Sequence, residues 1–539
     1  MPRRDNPSRK LFVTHRALGL LAGGVALALA LAAAPPAAAQ GAGTAAGAPP
    51  KVIVLGFDGA DAEMTRQWMD EGRLPNLARL RDQGTFAPLR STVPSQTPVS
   101  WSTFSTGLNP GRHSIFDFLR RDPADYKPTF ASVDESTAPF LWGERNGIVV
   151  GLAVGLAAAL LVFLVLKLFR RRTAPALVAA AVVALVAGGG GGWMAAAWLP
   201  VERPVVDNRQ QGDTFWQLLG AAGHRVRVVR VPVTFPPEPY PHGELLSGLG
   251  VPDLSLRIGK PFYFTSELFF QPKQGGDFSL EVVELIDNQG EIPTKIKGPP
   301  NKLFPEGEPY IEIPMTLTVA EDRGSLAIEV SGGEVTLRPG EWSDWVEIDF
   351  PFSPLVKLPG IGRFRLLSIE PDVRLYLSPI QFDPENLPPI FEITAPGDWI
   401  DELAGRHGRF KTMGWAIDTW SITEGTIDEE VFFEDVEATV AKSTEMLLGA
   451  LDEAAEWDVL VHYFEFTDRV QHVMFRTFDP EHPLWNEEDA ARWGESIPQA
   501  YERMDRIVGE VMERMPEGTV LMVVSDHGFA PWRRTMNYN

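Results

Sequence analysis

Residues 519–529 read TVLMVVSDHGF. Val520 to Val524 are apolar without a break, then come Ser525, Asp526, His527 and Gly528. A run this short and apolar suits a strand buried on both faces of a parallel sheet. A carboxylate and an imidazole are costly to bury at the end of such a strand unless something partners them. An Asx turn would explain Asp526. A metal ion would explain both, since carboxylate oxygen and imidazole nitrogen are metal ligands.

Two other segments share the pattern. In KVIVLGFDGAD (51–61) an apolar run, Val52 to Phe57, ends in Asp58 and Gly59. WDVLVHYFEFTD (457–468) is strand-like and ends in Asp468, with His472 four residues on. One helical turn would put Asp468 and His472 on the same side. In open parallel sheets, sites form at the carboxyl ends of strands. Three carboxylates at strand tips, two with a nearby histidine, therefore make a candidate metal group suited to zinc, manganese or iron.

Helical patterns separate these strands. DAEMTRQWMDEGRLPNLARLRDQG (61–84) has helical spacing and a stop at Gly84. TFWQLLGAAG (214–223) reads as a helix before a strand, HRVRVVRVPVTF (224–235). Residues 426–456 form a long acidic amphipathic pattern, and 495–515 another helix. From 257 to 390 the texture changes to alternating segments between Gly/Pro turns, such as FSLEVVELID, SLAIEVSGGEVTL, DWVEIDFPF and VRLYLSPIQF. That stretch is expected to be a β-rich insertion. The acidic run is read as a solvated helix face.

The chain has 539 residues, enough for several domains. Its formal net charge of −22 argues against nucleic acid as a partner, because phosphate contacts need basic surface. It has no cysteine, so any metal must use oxygen and imidazole ligands. Basic residues, an apolar stretch and the small-residue AAAQ at 37–40 make residues 1–40 a signal peptide or anchor. Residues 41–50 read as a linker. Residues 147–169 would reach roughly 34 Å as a helix at ~1.5 Å per residue, enough to span a bilayer. Residues 175–200 are a weaker span, because five consecutive glycines lower helix propensity. Arg170, Arg171 and Arg172 between them put that loop on the cytoplasmic side. Both flanks then face outward, so the expected location is the membrane with the catalytic part extracytoplasmic, in the periplasm or at the cell surface.

Residues 91–118, STVPSQTPVSWSTFSTGLNPGRHSIFDF, are crowded with hydroxyls. A metal ion can activate a hydroxyl nucleophile without a neighbouring base. Local sequence leaves Thr92, Ser95, Thr97, Ser100 and Ser102 all open. His113 reads as fixing the turn after LNPG, His462 as a satisfied strand histidine and Trp101 as core.

Together, VIVLGFDGAD, the 92–118 segment, FTDRVQHVMF and VVSDHGF, in that order, resemble the alkaline phosphatase superfamily, and within it the type I phosphodiesterase/nucleotide pyrophosphatase branch. The resemblance covers roughly 50–146, 200–256 and 391–539. It implies an alkaline phosphatase-like, doubly wound, mostly parallel sheet. It also implies two divalent metal ions, zinc first, with manganese or iron as alternatives. One would be held by Asp58, Asp526, His527 and the nucleophile, Thr97. The other would be held by Asp468, His472 and one further histidine. Thr97 would form a phospho-enzyme that water then releases.

The family's last histidine ligand comes well after Asp-His-Gly, and no histidine follows His527 here. The catalytic core is therefore expected to be C-terminally truncated. Relatives that cleave nucleotides often carry Asn three residues after the nucleophile, to contact a phosphoryl oxygen; here that substrate-binding position is Ser100.

The expected organisation is a signal peptide or anchor (1–40), core parts at 50–146, 200–256 and 391–539, a transmembrane hairpin at 147–199 and the β-rich insertion at 257–390. The expected function is metal-dependent hydrolysis of small phosphate mono- or diesters. The alternatives are a membrane phosphotransferase that moves a headgroup to an envelope acceptor, and a non-catalytic scaffold.

Overall fold

The computed structural model describes residues 50–531, apart from 125, 170, 274–278, 287–289 and 389. The expected signal peptide or anchor, Arg170 and the segment after 531 lie outside the described residues.

Six strands build the central sheet: β1 (Val52–Phe57), β2 (Val226–Val229), β3 (Gly243–Leu246), β4 (Thr394–Ala395), β5 (Val459–Phe464) and β6 (Val520–Val524). Their spatial order is β4-β3-β2-β5-β1-β6. All pairs are parallel except the edge pair β4 with β3. Val52 stands in register with both Val459 and Val520. Parallel register brings the carboxyl ends of β5, β1 and β6 to one edge of the sheet, which is what gathers the site.

The chief helices are α1 (Ala62–Asp70), α2 (Pro75–Gln83), α3 (Thr97–Thr106), α4 (Asn146–Leu168), α5 (Thr173–Trp198), α6 (Phe215–Ala221), α7 (Glu429–Asp452), α8 (Phe466–Phe478) and α9 (Ser496–Arg514). All but α4 and α5 belong to the body that covers both faces of the sheet. Ile53, Leu55 and Phe57 pack with α1, α2 and α7–α9. Val54, Val461 and Tyr463 face the other way, onto Trp101 of α3 and Trp216 of α6. Each such side chain, fully buried, contributes roughly 1.5–3 kcal/mol. β1 is thus buried on both faces, as its unbroken apolar run predicts. β6 is not: it is the sheet edge among the described residues, and Val520 and Met522 are exposed.

Three local expectations change. The helix expected over 61–84 is two helices. Gly72 takes φ 81, and Pro75 at the start of α2 disfavours helical backbone at Leu74. Leu74 has no side chain able to cap α2, and Asp505 on α9 does so instead. Its carboxylate accepts from Leu77 N (2.7 Å) and Asn76 N (3.2 Å). The strand expected over 224–235 stops at Val229, because Arg230 and Val233 both adopt φ 63. Asp468 does not end a strand. β5 stops at Phe464, and Asp468 lies in the first turn of α8.

Helix α5 runs straight through Gly188–Gly192 despite their low propensity. Contact with α4 is the reason. A β-carbon on Gly151 would lie 2.8 Å from Gly188 O and 3.1 Å from Gly192 Cα. One on Gly155 would lie 2.8 Å from Ala184 O, and one on Gly147 2.8 Å from Gly192 O. Small residues let the two antiparallel backbones touch. Gly189 and Gly190 face away, with nothing within 4 Å of an added β-carbon. The pair joins the body through an antiparallel ribbon, Val133–Pro139 against Glu202–Asn208. Asn146 fixes its base, accepting from Trp142 N (2.9 Å) and donating to Pro200 O (3.0 Å).

Most of residues 262–382 fold into small sheets around a separate apolar core that includes Ile292, Leu317, Ile328, Phe350 and Phe364. Ser331 and Gly332, with φ 53 and 79, make the tight turn of the hairpin read from SLAIEVSGGEVTL.

Candidate active site

Asp58 follows β1 directly, and its backbone N–H continues the sheet to Phe464 O (2.9 Å). Gly59 is required next to it. It takes φ 67, and a β-carbon there would lie 3.1 Å from the Asp468 backbone. The Asp58 carboxylate is almost fully occupied. Oδ2 accepts from Tyr463 OH (2.5 Å) and Trp101 Nε1 (3.2 Å). Oδ1 accepts from Thr97 Oγ1 (3.2 Å) and lies 3.3 Å from His527 Nε2. The Asp58 carbonyl accepts from Thr467 Oγ1 (2.5 Å).

Thr97 is the first residue of α3, so its hydroxyl sits at the positive end of a helix. Besides Asp58, it meets His527 Nε2 at 3.3 Å. Asp526 and His527 leave the end of β6. Asp526 Oδ1 accepts from Gly59 N (3.2 Å), while Oδ2 is buried without a hydrogen bond, 3.4 Å from His527 Nε2. Gly528 cannot carry a side chain, because its β-carbon would come 2.4 Å from Asp61 Oδ2. Asp61 has little room to yield, since its other oxygen caps α1 through Glu63 N and Met64 N.

Asp468 Oδ2 accepts from Arg469 Nη1 (3.1 Å). Its buried Oδ1 lies 3.3 Å from His472 Nε2 and 3.9 Å from His527 Nε2, and neither contact has hydrogen-bond geometry. The i,i+4 spacing thus does bring Asp468 and His472 together, on α8. The His472 ring packs edge-on against Phe529 and is otherwise open to solvent.

Three buried carboxylates therefore crowd one imidazole. Burial raises the Asp526 pKa well above the carboxylate range, and the Asp58 charge adds to that. Burial alone would lower the pKa of His527, but its contact with Asp58 and the charges of Asp526, Asp58 and Asp468 push it up to about 10. Burial also opposes the charge on Asp468, but His472, Arg469 and His527 outweigh it and hold its pKa down. Such a group wants a cation. One ligand atom each from Asp58, Asp526 and His527 lies within 4.8 Å of the others. The orphaned oxygens of Asp526 and Asp468 point the same way. Oxygen and imidazole donors fit a divalent ion of the zinc, manganese or iron kind. Asp468 and His472 form a second, incomplete pair among the described residues.

Ser100 lies one turn beyond Thr97, its hydroxyl shared with Thr92 (2.8 Å) and Ser91 (3.2 Å). His113 accepts from Ile115 N (3.2 Å) and meets Thr103 (3.0 Å), in keeping with a turn-fixing role. His462 is only half satisfied. Nε2 meets Ser443 Oγ (2.9 Å), and Nδ1 is buried without a partner. Trp101 is core, yet its indole N–H reaches Asp58. Sequence reasoning missed Tyr463 and Thr467. The alternation along β5, which puts Tyr463 on the Trp101 side with Val461, is the signal that could have found the tyrosine.

A family model described as type I phosphodiesterase / nucleotide pyrophosphatase matches residues 52–247 and 393–539. Over 210 residues the chain is 26% identical to GPI ethanolamine phosphate transferase 3, catalytic subunit, of Homo sapiens. That similarity covers 33% of this chain and 17% of the human protein. No solved structure matches.

Proposed function

We propose, because the chain belongs to the type I phosphodiesterase / nucleotide pyrophosphatase family of the alkaline phosphatase superfamily, that it is a metal-dependent hydrolase of small phosphate mono- or diesters with Thr97 as nucleophile. The observation that carries this reading is the Thr97 hydroxyl, set between Asp58 and His527 at the start of α3.

Divalent ions held by Asp58, Asp526 and His527, and by Asp468 with His472, would supply positive charge to the phosphoryl oxygens and favour ionised Thr97. The chain's own groups do the rest. Asp58 Oδ1 accepts the hydrogen bond from Thr97, which aims Oγ1 and gives its proton a way out. Oγ1 attacks phosphorus, the bond from phosphorus to the leaving oxygen breaks, that oxygen takes up the proton Thr97 gave up, and phosphothreonine forms. Water then attacks phosphorus, the bond to Oγ1 breaks, and Oγ1 takes a proton from that water. The N-terminus of α3, where Thr97 sits, would face the phosphoryl group, as helix starts commonly do. Ser100, beside Thr92, would take a phosphoryl oxygen.

The named ethanolamine phosphate transferase favours a second reading, in which an acceptor alcohol replaces water in the last step. Product partition separates the two: release to water supports the hydrolase, and transfer to added alcohols supports the transferase.

We also place α4 and α5 across a membrane, with the catalytic part outside. The helices have 23 and 26 residues, and Leu152, Leu156, Leu160, Leu164 and Leu168 are exposed along α4. Arg171 and Arg172 lie between them.

Metal content, measured with turnover of chromogenic mono- and diesters, tests the reading. Thr97→Ala should lose turnover by several orders of magnitude while keeping bound metal, and Asp526→Ala should lose both. Acid-quenched enzyme should carry phosphate on Thr97. Unchanged turnover in Thr97→Ala would overturn the nucleophile.

A further inference from the structure

A cavity of about 170 Å³ lies where the β-rich segment meets the central sheet. Its walls come from the chain just after β2, residues 409–417, one face of α7, the β5–α8 junction, and Trp345 and Arg363 of the β-rich segment. Five cationic side chains line it, Arg230, Arg363, Arg409, Lys411 and Lys442, against one carboxylate, Glu465.

Three of the five are matched nearby. Arg409 pairs with Asp383 (3.0 Å), Lys411 with Asp435 (2.6 Å) and Lys442 with Glu445 (2.7 Å). Arg230 and Arg363 have no carboxylate within ion-pair distance among the described residues. Arg230 Nη1 and Nη2 donate to the carbonyls of Lys411 (2.6 Å) and Met413 (2.9 Å). Burial lowers its pKa, and the charge of Glu465, the cavity's one carboxylate, offsets that only in part. Arg363 lies over Trp342 and Trp345, and Nε donates to Ser343 O (3.0 Å). Its two terminal nitrogens have no hydrogen-bond partner among the described residues. The remaining walls are apolar, with Phe410, Ile417, Val440 and Met446 prominent.

We propose that this cavity is a second binding site, for a small organic anion with a phosphate or carboxylate head and a compact apolar body. Arg230 and Arg363 bring positive charge without a direct ion pair, and the guanidinium of Arg363, whose terminal nitrogens have no partner among the described residues, presents its donors in the fork geometry that such heads accept. The apolar walls take the body. The site is separate from the metal-ligand group but shares a wall with it. Tyr463 lines the cavity and donates to Asp58, and Glu465 bonds Arg469, which bonds Asp468. The proposal stands whether or not Thr97 is the nucleophile.

The test is calorimetric titration of phenylphosphonate, which has no ester bond to cleave, into the detergent-solubilised full chain carrying Asp526→Ala. That substitution weakens anion binding at the metal group. One saturable site is expected, bound more tightly than inorganic phosphate. Adding Arg363→Met should weaken it about tenfold or more, Arg363→Lys should weaken it less, and Lys442→Met provides a second probe from a different wall, α7. Melting curves of each variant control for folding. No binding to Asp526→Ala, or binding untouched by both Arg363→Met and Lys442→Met, would overturn the proposal. Displacement of phenylphosphonate by a phosphate ester substrate would identify the ligand as the far end of that substrate. Its absence would identify a separate small molecule.

Discussion

Tyr463 donates its phenolic hydrogen to Asp58 at 2.5 Å, from the strand next to the one that Asp58 terminates. The bond fixes the carboxylate so that Oδ1 is turned toward Thr97 and His527. Groups that orient a metal ligand typically alter metal affinity or activity by about 10–100-fold when removed. Tyr463→Phe is expected to weaken metal binding and turnover within that range while leaving the sheet intact. Metal titration and turnover on the same preparation check it. Loss of turnover with no change in metal affinity would mean that Tyr463 acts on the substrate instead.

His462 sets a pH limit on stability. Burial, with the nearby Arg230 charge, lowers its pKa from 6.5 to about 3. Between those values the unfolded chain takes up a proton that the folded chain refuses, so folding loses stability as pH falls from 6.5 toward 3. The slope from this one group approaches ~1.4 kcal/mol per pH unit. His462→Gln, which keeps a partner for Ser443, should flatten the acid limb of a plot of melting temperature against pH. An unchanged limb would assign the acid loss to other groups.

Asp505 holds the start of α2 from another helix. Asp505→Ala would leave two backbone N–H groups of α2 unpaired, one buried and one half-buried, at a cost of about 1–3 kcal/mol. Denaturant titration measures this, and Asp505→Asn, which keeps one acceptor oxygen, should lie in between. A loss below a few tenths of a kcal/mol would mean that water replaces the cap.

The glycines of α5 divide by face. Gly188→Ala drives a β-carbon against the Gly151 carbonyl at 2.8 Å and should lower thermal stability in detergent. Gly189→Ala meets nothing within 4 Å and should raise helix stability, by about 0.5–1 kcal/mol if soluble-helix propensities hold. Equal effects at both positions would deny the close packing of α4 on α5.

The parallel sheet, and the gathering of Asp58, Asp526 and His527 at one edge of it, were legible because apolar runs ending in polar residues report directly on strand direction and burial. Asp468 and His472 were legible as a pair from their spacing, but not in their element, since nothing in HYFEFTD marks the step from strand to helix at Glu465. The break between α1 and α2 has a local signal in Pro75. The helix through Gly188–Gly192 has none within α5 itself, because its cause lies in α4. Trp101 read as an ordinary core residue, and Tyr463 and Thr467 drew no reading at all; what makes the three site residues is a long-range meeting with Asp58, which composition and period do not encode. Asp505 was hidden for the same reason, its partners lying more than 400 positions away.

The ribbon that carries α4 and α5 bears on the order of folding. Pro139 and Glu202 are paired neighbours, and Phe140 N bonds Val201 O at 2.9 Å, so the chain leaves the body and returns at one point. A floppy excursion of that length would tax every later contact that must form across it, by an entropy that grows with the logarithm of its length. Closed at its own base, the excursion adds almost nothing to the loop spanned when β1 finds β2 and β5. The saving holds when the base closes before β1 meets β2, which is also the order in which those segments are synthesised.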